Sequence, residues 1–202
     1  MTYSFRYRAQ AEALVDALVD DAFYQAMTES AARASGGAFE AMCRYMDFSM
    51  REAQASGRLS LAPAESPGAA IWALPRSASE SERLASAKQT FLDTQMGEES
   101  VRCYARIVAN MSALSAPVIP EGAWYLSILG ITPNRQSRGV GRALLERDLE
   151  AADADGVPAY LETFCERNHS FYERLGFRTA KSVPEPETNA VYTVMVRDAK
   201  RV

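Results

Sequence analysis

Histidine is nearly absent from this chain. His169 is the one imidazole in 202 residues, which excludes every site built on two, the HExxH zinc helix among them, and leaves room for at most one Ser-His-Asp arrangement. Cysteine is scarce as well. Cys43, Cys103 and Cys165 form an odd set, far apart and without a CxxC pair, so neither a disulfide framework nor a structural zinc site is indicated, no metal is expected, and the cysteine usage suits a reducing compartment. No apolar run approaches membrane-spanning length, and the first residues lack the pattern of a signal peptide; a cytoplasmic location and no membrane partner are expected. Positive charge is not in excess either. Lys and Arg number 22 against 26 Asp and Glu, a formal net charge of −4, so nucleic acid is not an expected partner. What is present is a globular composition, 48% hydrophobic and 24% charged, enough for one domain with a sizeable core.

Periodicity divides the chain into two textures. From Tyr3 to Tyr7 aromatics alternate with polar residues, the pattern of a strand with one buried face. Ala11, Leu14, Val15, Leu18 and Ala22 then share a helical face, and Phe39, Met42, Cys43, Met46 and Met50 mark a second helix between Gly36-Gly37 and Gly57. The methionine stripe reads as core packing more readily than as an adaptable binding surface. Residues 58–62 and 69–74, joined by Pro63-Ala-Glu-Ser-Pro-Gly68, form a hairpin pattern. The stretch 77–115 is helical in tone, with Ser79 and Glu82 spaced as a capping box. After Pro117 and Pro120 the pattern becomes strand 124–131, helix 140–154 with Ala143, Leu144 and Ala151 as its apolar face, strand 159–164, short helix 168–175, and strands 177–181 and 191–197. This second half is mixed α/β.

The segment Asn134-Arg135-Gln136-Ser137-Arg138-Gly139-Val140-Gly141-Arg142 joins a strand to a helix and contains no acid. A helix start presents unpaired N–H groups and partial positive charge, and glycines let an anion approach the main chain. Arg135, Arg138 and Arg142 add cations whose planar forks suit phosphate. The segment therefore points to a pyrophosphate. It has no Walker GxxxxGK[ST], and it lies in the wrong half of the chain for a dinucleotide fingerprint, so ATP or NAD is the weaker reading.

Gln136-x-x-Gly139-x-Gly141, preceded by Leu129-Gly130-Ile131-x-Pro133, resembles the acetyl-CoA loop of the GCN5-related N-acetyltransferases (GNAT). Asn168-x-x-Phe171-Tyr172-x-x-x-Gly176-Phe177 resembles a second signature of that superfamily, one helix and one strand further on. From about residue 123 to the end, the chain resembles in particular the puromycin N-acetyltransferase-like branch. The resemblance implies an α/β (α+β) fold: a mixed, mostly antiparallel central sheet with a splayed strand pair, flanked by helices. It implies a single domain over 1–202, with an N-terminal strand, helices and hairpin in 1–122 and the acetyl-CoA-binding half in 123–202. A homodimer is among the assemblies it allows.

Carried over residue by residue, the resemblance assigns Leu129, Gly130 and Ile131 to the acyl arm, and Gln136, Ser137, Arg138, Gly139, Val140, Gly141 and Arg142 to the pyrophosphate. Arg135 and Arg142 are open to a second reading as solvated surface charges. Asn168 falls to the pantetheine or thioester region, with helix capping as the other reading. Tyr172 takes the place of the general acid: a phenol of ordinary pKa near 10 stays protonated at neutral pH and can give its proton to a departing thiolate. Its alternative is packing beside Phe171. Glu162, a carboxylate inside a strand, is the candidate base for an amine, directly or through a water; it also reads as an outward-facing strand residue or an ion-pair partner. His169 reads as a surface residue and Cys165 as a spectator thiol.

The activity so implied is direct transfer of the acetyl group of acetyl-CoA to a primary amine of a small molecule or a peptide, with acetyl-CoA as cosubstrate. A module that binds acetyl-CoA as a sensor without turnover is the alternative. The acceptor lies beyond the resembling region; Phe23, Tyr24 and Glu29, near the turn between the first helices, are its candidate contacts.

Overall fold

A computed structural model describes residues 3–200 of the chain. Its centre is a six-stranded sheet of order β1-β2-β3-β4-β6-β5, with β1 Arg58–Leu61, β2 Gly68–Ala73, β3 Trp124–Ile131, β4 Ala159–Thr163, β5 Arg178–Pro184 and β6 Val191–Arg197. Every neighbouring pair is antiparallel except β3 and β4. The helices are α1 Arg8–Ala17, α2 Ala22–Ser30, α3 Gly37–Ser56, α4 Ala78–Met96, α5 Glu98–Ser115, α6 Val140–Ala154 and α7 His169–Glu173. None of the described helices is long and apolar enough to cross a membrane.

The sheet is covered on both faces, and β2 shows why its sequence is an unbroken apolar run. Ala69 and Ile71 pack with Leu14, Met27, Met46 and Met50 of the N-terminal helices, whereas Ala70 and Trp72 pack with Leu145 and Leu149 of α6. A strand buried on both sides has no polar phase to display. The methionine stripe of α3 is core: Met42, Met46 and Met50 are at most 1% exposed. α6 is phased one residue away from the expected face, burying Leu145, Leu149 and Ala152. The cause is Asp148, fully buried beside them, which accepts from Arg58 Nε at 2.6 Å, Ser60 Oγ at 2.7 Å and Trp72 Nε1 at 2.8 Å. A polar residue on the apolar face hides that face from any pattern search, and it pins α6 to the hairpin.

Four expectations are corrected in the N-terminal half. Tyr3–Tyr7 pairs with no strand; it runs to the start of α1 and is held by the buried Asp47, which accepts from Tyr3 Oη at 2.8 Å and from the Arg6 and Tyr7 amides at 2.9 and 2.7 Å. Its alternation buries aromatics against α3 and α4 rather than against a sheet. The first helix stops at Ala17, and Asp21 caps a separate α2 by accepting from the Phe23 amide at 3.0 Å. The long helical stretch is broken at Gly97, with φ of 97°. Its cap is Ser77, whose Oγ accepts from the Glu80 amide, two residues before the expected box.

The sheet's far end is tied down by Arg197 of β6. It donates to both Asp153 oxygens at 2.8 and 2.6 Å and through Nε to the Leu175 carbonyl, joining β6 to α6 and α7. The Arg197 hydrogen bonds, against a smaller opposing effect of burial, hold the Asp153 carboxyl below the usual carboxylate range. A depressed carboxyl stabilises the fold fully above the ordinary value near 3.9 and loses that contribution as pH falls through the folded pKa. Asp153→Asn is therefore expected to cost about 3 kcal/mol at pH 7 and to flatten the fall in stability below about pH 4, read by urea unfolding at a series of pH values. An unchanged acid slope in the variant would contradict this.

Candidate active site

The one parallel pair among the described strands is also the shortest ladder in the sheet. β3 and β4 pair through Trp124↔Ala159, Tyr125↔Tyr160 and Leu126↔Leu161, and the register then ends although both strands continue. Just beyond, the pairing of β2 with β3 jumps from Trp72↔Leu126 to Ile71↔Ile128, so Ser127 is an extra residue, a bulge that turns β3 away. Its hydroxyl donates to the Ile71 carbonyl at 3.1 Å. From Ser127 to Ile131 the β3 edge that faced β4 is unpaired, and unpaired main chain needs a partner.

β3 keeps its other neighbour through a close approach. A Cβ added to Gly68 would lie 2.3 Å from the Gly130 carbonyl oxygen and 2.8 Å from the Ile131 Cα, so only glycine lets β2 reach Gly130 and Ile131. α1 lies over the same place: a Cβ on Gly130 would come within 2.8 Å of Leu14 Cδ2.

The turn after β3 leaves its main-chain amides free. Gly139, the residue before α6, is left-handed with φ of 81°, and Ser137 has φ of 60°. The first amide of the turn to find a carbonyl inside α6 is that of Ala143, bonded to Gly139 O; the amides of residues 137–142 have no partner among the described residues. Six neighbouring free N–H groups at the start of a 15-residue helix are what an oxyanion needs. Arg135 and Arg138 make no ion pair among the described residues, whereas Arg142 is bonded to Glu146 at 2.7 Å, one turn along the exposed face. Gln136 folds back and donates to the Ile131 carbonyl at 3.0 Å, closing the turn onto β3. Gly141 faces Ile131 and Phe171 at ordinary van der Waals distance.

On the other side of the parting strands is a cavity of about 450 Å³. Tyr125, Ser127 and Ile128 of β3 and Tyr160 and Glu162 of β4 form its floor, and α2, α3, α4 and α5 form its walls. Glu162 is neither outward-facing nor ion-paired. Tyr125 donates to its Oε2 at 2.6 Å, and Tyr192 donates to its Oε1. Both phenols hold their protons well above the usual tyrosine value, chiefly through burial and then through the Glu162 charge. Each carboxylate oxygen retains a further lone pair for a ligand.

Of the N-terminal candidates, Phe23 and Tyr24 line this cavity. Glu29 does not: it lies at a separate hollow with Arg44 and Arg102, because α2 turns its residues in opposite directions. Tyr172 packs its ring in the α6-side core with Leu161, Leu175 and Phe177, edge-on to Phe171 at 5.1 Å. Its hydroxyl has no hydrogen-bond partner among the described residues. Burial, then the charges of Asp21 and Cys165, keep it protonated beyond the ordinary phenol range. Asp21 lines the cavity on the opposite face of the sheet, whereas Tyr172 does not. Asn168 occupies the capping position of α7, but its side chain caps nothing. Cys165 and His169 take no part in the cavity lining. Among the described residues, no group of three or more His, Cys, Asp or Glu is placed to hold a metal ion.

The sequence reading missed Tyr125 and Tyr192, which hold Glu162, and Glu52 and Lys88, an ion pair in the cavity lining. Tyr125 and Tyr192 carried a faint signal, as polar-tipped aromatics in otherwise apolar strands. Glu52 and Lys88 carried none, since each reads as an ordinary charge on a helix.

Comparison with known proteins agrees with this geometry. Residues 99–179, from the start of α5 into β5, match the family described as the acetyltransferase (GNAT) domain. An uncharacterized N-acetyltransferase of Schizosaccharomyces pombe is 30% identical over 90 residues, 43% of this chain. That match spans only 36% of the yeast protein's own length. The crystal structure described as histone acetyltransferase HPA2 and related acetyltransferase from Corynebacterium glutamicum superposes with a TM-score of 0.61 at 19% identity, covering 96% of this chain and 91% of that one. The matched segment is of acetyltransferase type, and the fold of the whole is shared with the bacterial structure. The likeness to the GNAT superfamily is carried by residues 99–179 of the chain.

Gly68→Ala tests the close approach on which this site rests. It is expected to cost about 2 kcal/mol in urea unfolding, the scale of other overpacking changes, whereas Gly122→Ala, in an open turn where an added Cβ meets nothing within 4 Å, costs about 1 kcal/mol of left-handed strain. Equal costs would overturn the close-approach account.

Proposed function

We propose that the chain transfers the acetyl group of acetyl-CoA to a primary amine of a small molecule or peptide. The observation that carries this reading is that one opening in the sheet has an anion-ready turn at its end and a carboxylate-floored cavity on its face. The bound cosubstrate supplies an acyl group activated as a thioester.

The residues of this chain supply position and proton transfer. The free amides of residues 137–142, with Arg135 and Arg138, fit a pyrophosphate. Arg142 serves it only by leaving Glu146, an exposed pair of small energy. Gln136 acts by fixing the turn to β3. Along Leu129, Gly130 and Ile131 the edge that β4 leaves unpaired offers main-chain groups to the amide-bearing arm, the Ile131 carbonyl being shared with Gln136, and Asn168, whose side chain caps nothing, has a free amide to add. Holding donor and acceptor together in this gap is the largest expected contribution to rate.

Proton traffic falls to two residues. Glu162 takes the proton of the incoming amine at a free lone pair of its carboxylate. Tyr172 Oη, protonated and unbonded, gives a proton to the departing sulfur. Its raised pKa makes it a dependable donor and a weaker acid than a free phenol, so it acts late, when charge on sulfur has developed.

Calorimetry with acetyl-CoA and a CoA-release assay with an amine panel test the proposal. Arg138→Ala is expected to weaken acetyl-CoA binding about tenfold, near 1.4 kcal/mol. Tyr172→Phe should bind acetyl-CoA as the wild type does and lose turnover by about a hundredfold, the lower range for general acid catalysis. Acetyl-CoA binding with no CoA release on any amine would show a sensor instead.

A further inference from the structure

The cavity's lining is more specific than an amine site requires. Eight aromatic residues, Phe23, Tyr24, Tyr45, Tyr104, Tyr125 and Tyr160 among them, line a space of about 450 Å³, within the range of roughly 300–1,000 Å³ typical of small-molecule sites. Phe23 and Tyr24 meet edge to face at 5.1 Å, and Tyr125 stacks on Tyr160 at 4.6 Å. These rings offer both faces and edges to a further ring.

Charge in the cavity is arranged to favour a cation. Glu162 and Glu52 are its carboxylates without a capping duty, since Asp21 is occupied by the Phe23 amide. Glu162 acts at a distance: after burial, its charge is a cause that raises the proton affinity of Tyr104, to about 12, and of Tyr160. Glu52 acts on Tyr104 as well, so this ring lies within the field of both acids. Neither cationic group is bonded to Glu162. Lys88 Nζ is bonded to Glu52 at 3.3 Å and Ser49 at 3.2 Å and sits 5.0 and 4.7 Å from the ring centres of Tyr45 and Phe48, whereas Arg76, tied through Nε to the Leu74 carbonyl beyond the end of β2, makes no ion pair among the described residues. A ligand carboxylate beside an amine at Glu162 would stand against that carboxylate, which is held by two phenols and by no cation, while an ammonium gains both the carboxylate and the ring faces.

We propose that the acceptor is a primary ammonium on an aromatic body with no carboxylate beside the nitrogen, its charge at Glu162 and its ring among Tyr24, Tyr45, Tyr104 and Tyr160. The proposal rests on the acetyl-transfer reading for the amine's role, and its ligand chemistry is tested by binding alone. Phenethylamine and phenylalanine share a ring and differ by one carboxylate.

Calorimetry of the full chain with each compound, in the presence of CoA, is the direct comparison. Phenethylamine is expected to bind about a hundredfold or more tightly than phenylalanine, a ratio of about 2.7 kcal/mol. Glu162→Gln should weaken phenethylamine about tenfold and narrow that ratio. Glu52→Gln frees Lys88 and should narrow it too, by admitting phenylalanine; circular dichroism confirms that each variant is folded. Equal or tighter binding of phenylalanine, binding of neither, or a ratio that both folded variants leave unchanged would overturn the proposal. Phenethylamine binding as expected without CoA release would uphold the ligand and overturn the transferase reading, so the two failures are told apart.

Discussion

The divergence of β3 from β4 is the constraint from which the rest follows. A parallel pair that holds for three rungs and then opens leaves main-chain donors and acceptors inside the sheet, where each must be bonded or reach water or a ligand. The protein makes that opening tolerable by over-determining the strand on its other side. Ser127 absorbs the bulge, Gly68 lets β2 stay in contact with Gly130 and Ile131, and α1 closes over the top. The buried Asp148 and the Arg197–Asp153 pair clamp α6 to both sides of the sheet. The gap is thus held open by rigid neighbours rather than by loose loops.

The two ends of this gap carry opposite electrostatic character. At the turn, free amides and unpaired arginines gather positive potential, and the helix that follows adds its dipole. In the cavity, the dominant groups are carboxylates and phenols, with Lys88 already committed to Glu52. Glu162 shows how a carboxylate can be kept inside a strand without a cation: two phenols hold it, and their own proton affinity rises in return. The single histidine of the sequence stands outside this arrangement. A tyrosine network does the orienting that imidazoles perform elsewhere.

Much of the C-terminal half was legible in the chain. The turn of residues 134–142, the apolar strand before it and the Phe171–Gly176 segment after it are local features: their glycines, arginines and spacing specify backbone geometry within a few residues. The N-terminal half was less so. The Tyr3–Tyr7 alternation looked like a strand because burial of every second side chain is all that such a pattern encodes, and Asp47, forty residues away, decided that the segment would lie on a helix. Asp148 likewise disguised the face of α6, since a buried acid is indistinguishable in sequence from an exposed one.

The amino-acid sequence by itself determined the order of elements across the second half and the glycine- and arginine-bearing turn of residues 134–142, because each depends on short-range periodicity or on backbone permissiveness; it also drew attention to Tyr172 and Glu162. Only the tertiary structure decided what surrounds them. It brought Tyr125 and Tyr192 to the oxygens of Glu162, sent Glu29 to a different hollow, and set Glu52 and Lys88 into the same cavity from separate helices. Those pairings join residues tens of positions apart, and no local pattern records them; they exist because the sheet opens at one place and five helices close around it.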